Sequence, residues 1–240
     1  MEQLITYFLA ITPAFLVAMA LLALLPQAFK GLRILVYILF FVLARDAMTP
    51  PGFWQLSPGA LRFNASPLVL LVVASGSLSM VALTYLMERR SIDKIRWIGP
   101  RLWSSVLYGT GGVLAIALAT LMLKAMAHLP SPPAPADSMI PVILLFALAG
   151  NLYEEFLFRG LLQAHLERHL PAVKAALASG LFFCLCHAFL AVSVTQVGTP
   201  ILAFTLIEGV VAGLVFLRGG VIGATLAHGG AIFLLASGWI

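Results

Sequence analysis

The sequence predicts an all-α polytopic membrane bundle of about eight transmembrane helices, and three observations carry that prediction. The 240-residue chain is 62% hydrophobic and 10% charged, where soluble domains are about half apolar and a quarter charged. Its mean hydropathy is +1.06, so polar surface is too scarce to cover a water-facing core and lipid has to be the outer solvent. The apolar residues also fall in runs of about 18 to 25, the length that crosses a bilayer as a helix. The formal charge of +5 does not point to nucleic acid, because the 14 Lys and Arg lie between apolar runs and lack a basic patch with interleaved aromatics. Cys184 and Cys186 stand two apart in one run, on different helix faces, and predict no disulfide.

The expected spans are 4–25, 32–48, 66–87, 102–124, 140–164, 174–195, 198–217 and 220–239. The first follows Met1-Glu2-Gln3 with neither a basic n-region nor a small-residue cleavage site, so it is expected to remain in the mature protein. The second, ending at Arg45-Asp46, is barely long enough and reads as tilted or partly buried. After the third comes the charge run Glu88 to Trp97, expected as a helix on anionic headgroups with Trp97 at the interface. The fourth contains Gly109, Gly111 and Gly112 without a following Lys-Ser or Lys-Thr, which rules out a phosphate loop. The proline-rich stretch from Leu129 to Ser138 is expected as a stiff external connection. It divides the chain into a scaffold half, 1–128, and a back half, 139–240.

The cationic residues give a topology. Lys30, Arg33, Arg89, Arg90, Lys94, Arg96, Arg101, Arg159, Arg168, Lys174 and Arg218 fall at one set of span ends, against Arg45, Arg62 and Lys124 at the other. That excess puts the first set in the cytoplasm and both termini outside, as expected of a multi-pass protein in a prokaryotic plasma membrane. No internal repeat supports an inverted-repeat transporter.

Carboxylates and histidines embedded in apolar runs are expected only in the back half: Glu154, Glu155, His187, Glu208 and His228. An ionised group at the bilayer centre costs at least ~2.5 kcal/mol on insertion scales, so these groups should face one another. Glu155 and Arg159 are four residues apart and share a helix face, whereas Glu154 lies about 140° from Arg159. Arg159 can therefore hold Glu155 and leave Glu154 available for proton transfer. His187 sits among aromatic and apolar neighbours, and His228 is followed by Gly229 and Gly230, which permit close helix approach. Glu208, beside the small-residue stripe of Gly209 and Gly213, is read as a structural ion-pair partner and left out of the catalytic set. His165 and His169 are read as solvated.

Three ordered motifs, Glu154-Glu155-x-x-x-Arg159, Phe183-x-x-x-His187 and His228, resemble those of the CAAX-processing and bacteriocin-processing family of intramembrane endopeptidases, also called the ABI family. The resemblance covers about 90 residues, from the fifth span onward. It implies that Glu154 and His187 activate a water for peptide hydrolysis, that Glu155 and Arg159 support them, and that His228 completes the site. It makes the back half the catalytic one. The implied substrate is a peptide or protein with a membrane-embedded or lipid-anchored segment, cleaved near that segment. The motif departs from the family's at one position: an asparagine commonly follows the last histidine by four residues, and Ile232 stands there. Asn151, one turn before Glu155, is a candidate replacement for the missing donor. Two histidines and a glutamate could also hold a catalytic zinc, with Glu154, His187 and His228 as ligands. The absence of an H-E-x-x-H segment favours a metal-free hydrolase with no cofactor. The alternatives are a non-catalytic membrane scaffold or bacteriocin-immunity protein, and a proton-coupled transporter with a Glu and His relay.

Overall fold

The computed structural model describes residues 2–89, 95–129 and 133–240 and is an all-α bundle with one small hairpin. Helix α1 spans Glu2–Leu24, α2 Lys30–Asp46, α3 Pro67–Glu88 and α4 Leu102–Met126. Helix α5, Ile140–Glu155, runs on as a π-helix over Phe156–Gln163 and ends in the short turn α6, Ala164–Leu166. Helix α7, Ala172–Leu185, is followed by a second π segment, Leu190–Val194, and α8 spans Thr199–Ala236. Among the described residues, six helices are long and apolar enough to cross a membrane. Helix α2, with 17 residues, is shorter than these. The seventh and eighth expected spans are the two arms of α8, which meet at Gly220, whose φ of 66° leaves the helix, and fold back on each other: Glu208 and His228 stand 3.6 Å apart, where one continuous helix would part residues twenty apart by about 30 Å.

That break is satisfied by the chain before α4. A residue with positive φ interrupts the helical ladder and frees the next amides. The Val221 and Ile222 N–H groups donate to the carbonyls of Arg96 and Trp97, each at 2.9 Å. Trp97 stacks on Phe156 with ring centroids 5.3 Å apart, and the Arg96 guanidinium lies 4.3 Å from the Phe216 ring centre. The expected headgroup helix is thus corrected for its later part: Ile95 to Trp97 is non-helical chain folded onto the bundle. Residues 90–94 of that charge run, and 130–132 of the proline-rich connection, lie outside the described residues.

Helices α7 and α8 approach backbone to backbone. A Cβ on Gly209 would stand 2.6 Å from the Gly180 carbonyl oxygen, and one on Gly180 would stand 2.8 Å from Gly209 backbone atoms. Gly213 repeats the contact one turn on, where a Cβ would meet the Ala176 oxygen at 2.9 Å. This is the small-residue stripe read from the sequence, and it replaces a hydrophobic drive that lipid cannot supply. Gly229 and Gly230 similarly let α8 approach Ala147 and Leu148 of α5 and Val113 of α4.

Some charges read as topology signals are interior groups. Arg33 is buried, pairs with Glu88, and donates to the Leu22 and Leu25 carbonyls at the end of α1, each at 2.6 Å. Tyr37 joins them by donating to Glu88 at 2.8 Å. Arg45, Lys124 and Arg159 are buried as well. The physical reason is local: each lies inside a helix whose neighbours enclose it, not in a connecting loop. The front half therefore does hold buried carboxylates, Asp46 and Glu88, contrary to the expectation from the sequence. The hairpin of β1, Trp54–Ser57, and β2, Ala60–Phe63, was also not expected.

The α7–α8 contact leads to a stability prediction. Gly209→Ala and Gly180→Ala should each lower the thermal unfolding midpoint in detergent, with an overpacking cost of about 1–3 kcal/mol. Gly76→Ala, where a Cβ meets nothing within 4 Å, should leave the midpoint unchanged or slightly raised.

Candidate active site

Of the five residues predicted from the sequence, Glu154, His187 and His228 line a cavity of about 730 Å³ between the two halves of the chain. Glu154, His187, Glu208, His228 and Ile232 line it, with Arg45 and Asn151. Glu155 and Arg159 have side-chain exposures of 0% and stand behind this wall.

The helix-face geometry holds for Glu155 and Arg159. Arg159 donates from one terminal nitrogen to Glu155 Oε1 at 2.8 Å and from the other to the Gly209 carbonyl at 2.7 Å. Four residues further along the same segment, Gln163 donates to the Gly213 carbonyl at 3.1 Å, so the glycine stripe anchors two polar side chains. The π turn begins directly after Glu155, and such turns widen a helix locally and recur at functional sites. The Arg159 guanidinium also lies 4.7 Å from the Phe183 ring centre.

His228 is held by the same carboxylate. Its Nδ1 donates to Glu155 Oε1 at 2.8 Å, while Nε2 faces Glu208 Oε1 at 3.6 Å. Glu208, read from the sequence as a structural ion-pair partner, is thus a cavity-lining neighbour of His228. Arg159 instead takes the carbonyl of the next residue, Gly209.

Glu154 stands apart from this group and close to His187. Its Oε1 is 3.8 Å from His187 Nε2 and, although buried, makes no hydrogen bond. His187 Nδ1 is 2.9 Å from the Phe183 carbonyl; a carbonyl can only accept, so Nδ1 carries the proton and Nε2 presents a lone pair. The Phe183 ring separates the two groups, its centroid 4.6 Å from His187 and 5.4 Å from His228.

Sequence reasoning missed the group that faces that lone pair. Arg45 of α2 places a terminal nitrogen 2.8 Å from His187 Nε2 and 3.7 Å from Glu154 Oε1. Its Nε and second terminal nitrogen bind Asp46 Oδ1 at 2.9 and 2.8 Å, and the latter also donates to the Cys186 carbonyl at 2.8 Å. Cys186 caps α7, and a last-turn carbonyl has no partner within its own helix. The available signal was a cation in the last turn of the shortest span, directly before an aspartate. Asn151 is at the cavity and donates to Ala147 O at 2.6 Å; its donor group thus has one partner on its own helix.

A zinc ion fits this arrangement poorly. The His187 lone pair faces the Arg45 guanidinium, which would stand in the place of a cation. Among the described residues, no three His, Cys, Asp or Glu side chains converge as a metal-holding group.

Removing one member of a buried ion pair strands the other charge, at a cost of about 3–5 kcal/mol. Glu155→Ala should therefore destabilise the protein severely in detergent. Glu155→Gln, which keeps an acceptor for Arg159 and His228, should cost less, and equal unfolding midpoints for the two variants would contradict this structural role.

Comparison with known proteins bears on the back half. No curated protein and no solved structure matches the chain. Residues 135–234 match the family described as Type II CAAX prenyl endopeptidase Rce1-like. This match bears out the resemblance drawn from the three motifs, all of which lie inside it. Over those residues the chain is similar to type II CAAX prenyl endopeptidases, and the similarity supports an intramembrane protease of the CAAX type in a multi-pass membrane protein.

Proposed function

We propose that the protein hydrolyses a peptide bond near a membrane-embedded or lipid-anchored, C-terminal segment of its substrate, using a water activated by Glu154 and His187. The observation that carries this reading is Glu154 Oε1, buried, without a hydrogen bond, and 3.8 Å from His187 Nε2 at the cavity wall. A carboxylate oxygen and an imidazole lone pair at that spacing are two of the polar partners a bound water needs. On loading, the water takes the place of Arg45 at Nε2. Glu154 accepts its proton as the water oxygen bonds to the scissile carbonyl carbon, and returns the proton to the departing amine. Glu155 and Arg159 hold the site together, and His228, fixed at Nδ1 by Glu155, orients groups in the cavity. No metal enters this scheme. The aromatic and aliphatic lining of the cavity suits an apolar anchor beside the cleaved bond, such as the prenyl group named in the matching family.

The orientation with both termini outside, in a prokaryotic plasma membrane, belongs to the same proposal. With the interior Arg33, Arg45, Lys124 and Arg159 set aside, the other cations of the first set remain opposed only by Arg62. The positive-inside bias is sharpened.

A second reading, a bundle that has lost turnover and acts as a scaffold or immunity protein, draws on Arg45 occupying the His187 lone pair and on Ile232 at the cavity. The two readings separate on a fluorogenic farnesylated peptide ending in a CAAX sequence, with purified protein in liposomes. The hydrolase should cleave it, and Glu154→Gln and His187→Ala should each lower kcat by ~10²–10⁴-fold with unchanged unfolding midpoints. Full cleavage by either variant contradicts the assignment; no cleavage of this or any membrane peptide by the parent protein favours the scaffold. Chelator treatment should leave turnover intact, and loss of turnover restored by zinc would overturn the metal-free scheme.

A further inference from the structure

We infer that Arg45 is a catalytic residue of the proposed hydrolysis: its guanidinium, supplied by the front half of the chain, binds the scissile carbonyl oxygen as negative charge develops on it. The inference rests on the hydrolase reading above and goes beyond it. A guanidinium carries five N–H donors in a rigid fork. In Arg45 the Nε donates to Asp46 Oδ1 at 2.9 Å and one terminal nitrogen donates to the Cys186 carbonyl at 2.8 Å, with Asp46 Oδ1 also within ion-pair distance of that nitrogen. One edge of the fork is thus fixed to protein. The other terminal nitrogen points into the site, 2.8 Å from His187 Nε2 and 3.7 Å from Glu154 Oε1, with one N–H on the imidazole and the other uncommitted.

This arrangement links water binding to charge stabilisation. When water occupies His187 Nε2, the Arg45 nitrogen gives up that contact, and both its N–H groups face the space where the water meets the substrate. As the water oxygen bonds to carbon, its proton passes to Glu154 and the carbonyl π pair moves to oxygen. That oxygen accepts from Arg45. When the C–O double bond re-forms, the C–N bond breaks and the amine takes the proton from Glu154, leaving a carboxylic acid and an amine. Fixed donors of this kind, aimed at developing charge in a water-poor cavity, need no reorganisation at the moment of reaction. Asp46 is a positioning residue: it holds the fork's far edge and offsets its charge. The assignment also gives the carbonyl oxygen a partner at a cavity where position 232 is the aliphatic Ile232.

The test uses full-length protein in liposomes and the fluorogenic farnesylated CAAX peptide. Arg45→Gln should lower kcat by ~10²–10³-fold, with KM within about threefold. Asp46→Asn should lower kcat by a smaller factor, because it frees the fork without removing it. Adding methylguanidinium to Arg45→Ala should restore part of the lost turnover, where methylammonium should restore less. If Arg45→Gln fails to fold, Arg45→Lys decides: it keeps the charge but not the fork, and kcat should fall at least about tenfold at an unchanged unfolding midpoint. A folded Arg45→Gln or Arg45→Lys variant with kcat near that of the parent overturns the role of Arg45, as does a loss confined to KM. Cleavage that survives Glu154→Gln overturns the hydrolase reading itself, so the two failures are distinguishable.

Discussion

The pairing of Arg159 with Glu155 is the interaction on which the arrangement of the site depends. A guanidinium with no exposed surface must be matched by a carboxylate and by backbone acceptors, and here it takes Glu155 on its own helix and the Gly209 carbonyl on α8. The same carboxylate oxygen accepts from His228, further along α8. One ion pair therefore ties α5 to both arms of α8. With Glu155 occupied in this way, Glu154 is left facing the cavity. Two adjacent carboxylates acquire different surroundings because 100° of helical rotation separates them. The structural one is sealed inside, and its neighbour sees the space where a substrate would lie.

A second buried guanidinium organises the opposite side of the cavity. Arg45 comes from the front half, and its bonds to Asp46 and Cys186 would be costly to leave unmade in so apolar an interior. The cavity is consequently bounded by both halves of the chain: α1, α2, α3, α4 and the hairpin on one side, and α5, the segment after α7 that carries His187 and Leu190, and α8 on the other. Its lining lies toward the end of the bundle that carries the β1–β2 hairpin, away from the loop cations Arg96, Arg168 and Arg218.

Fold class and the order of helical segments were legible in the sequence because lipid imposes a simple rule of length and apolarity. The break near residue 220 was visible too, as the boundary between two spans at Gly219-Gly220, though not its stitching to Arg96 and Trp97. The Glu155–Arg159 contact followed from helical spacing, and the Gly209 and Gly213 stripe from residue size. What could not be read were contacts made by residues far apart in sequence. Arg33 and Arg45 look like interfacial charges to any one-dimensional count, and only the neighbouring helices decide that they are interior. The π segments follow no composition rule. The hairpin had a local signal in Pro58-Gly59, a turn dipeptide between alternating runs too short to cross a membrane.

The central claim, that a water poised by Glu154 and His187 attacks the carbonyl directly, is tested most directly by single-turnover cleavage in ¹⁸O-labelled water with excess enzyme. Direct attack predicts one solvent oxygen in the newly formed product carboxyl group and none in the Glu154 side chain. Unlabelled product with label in Glu154 would show that the carboxylate itself had attacked the substrate, and would contradict the account.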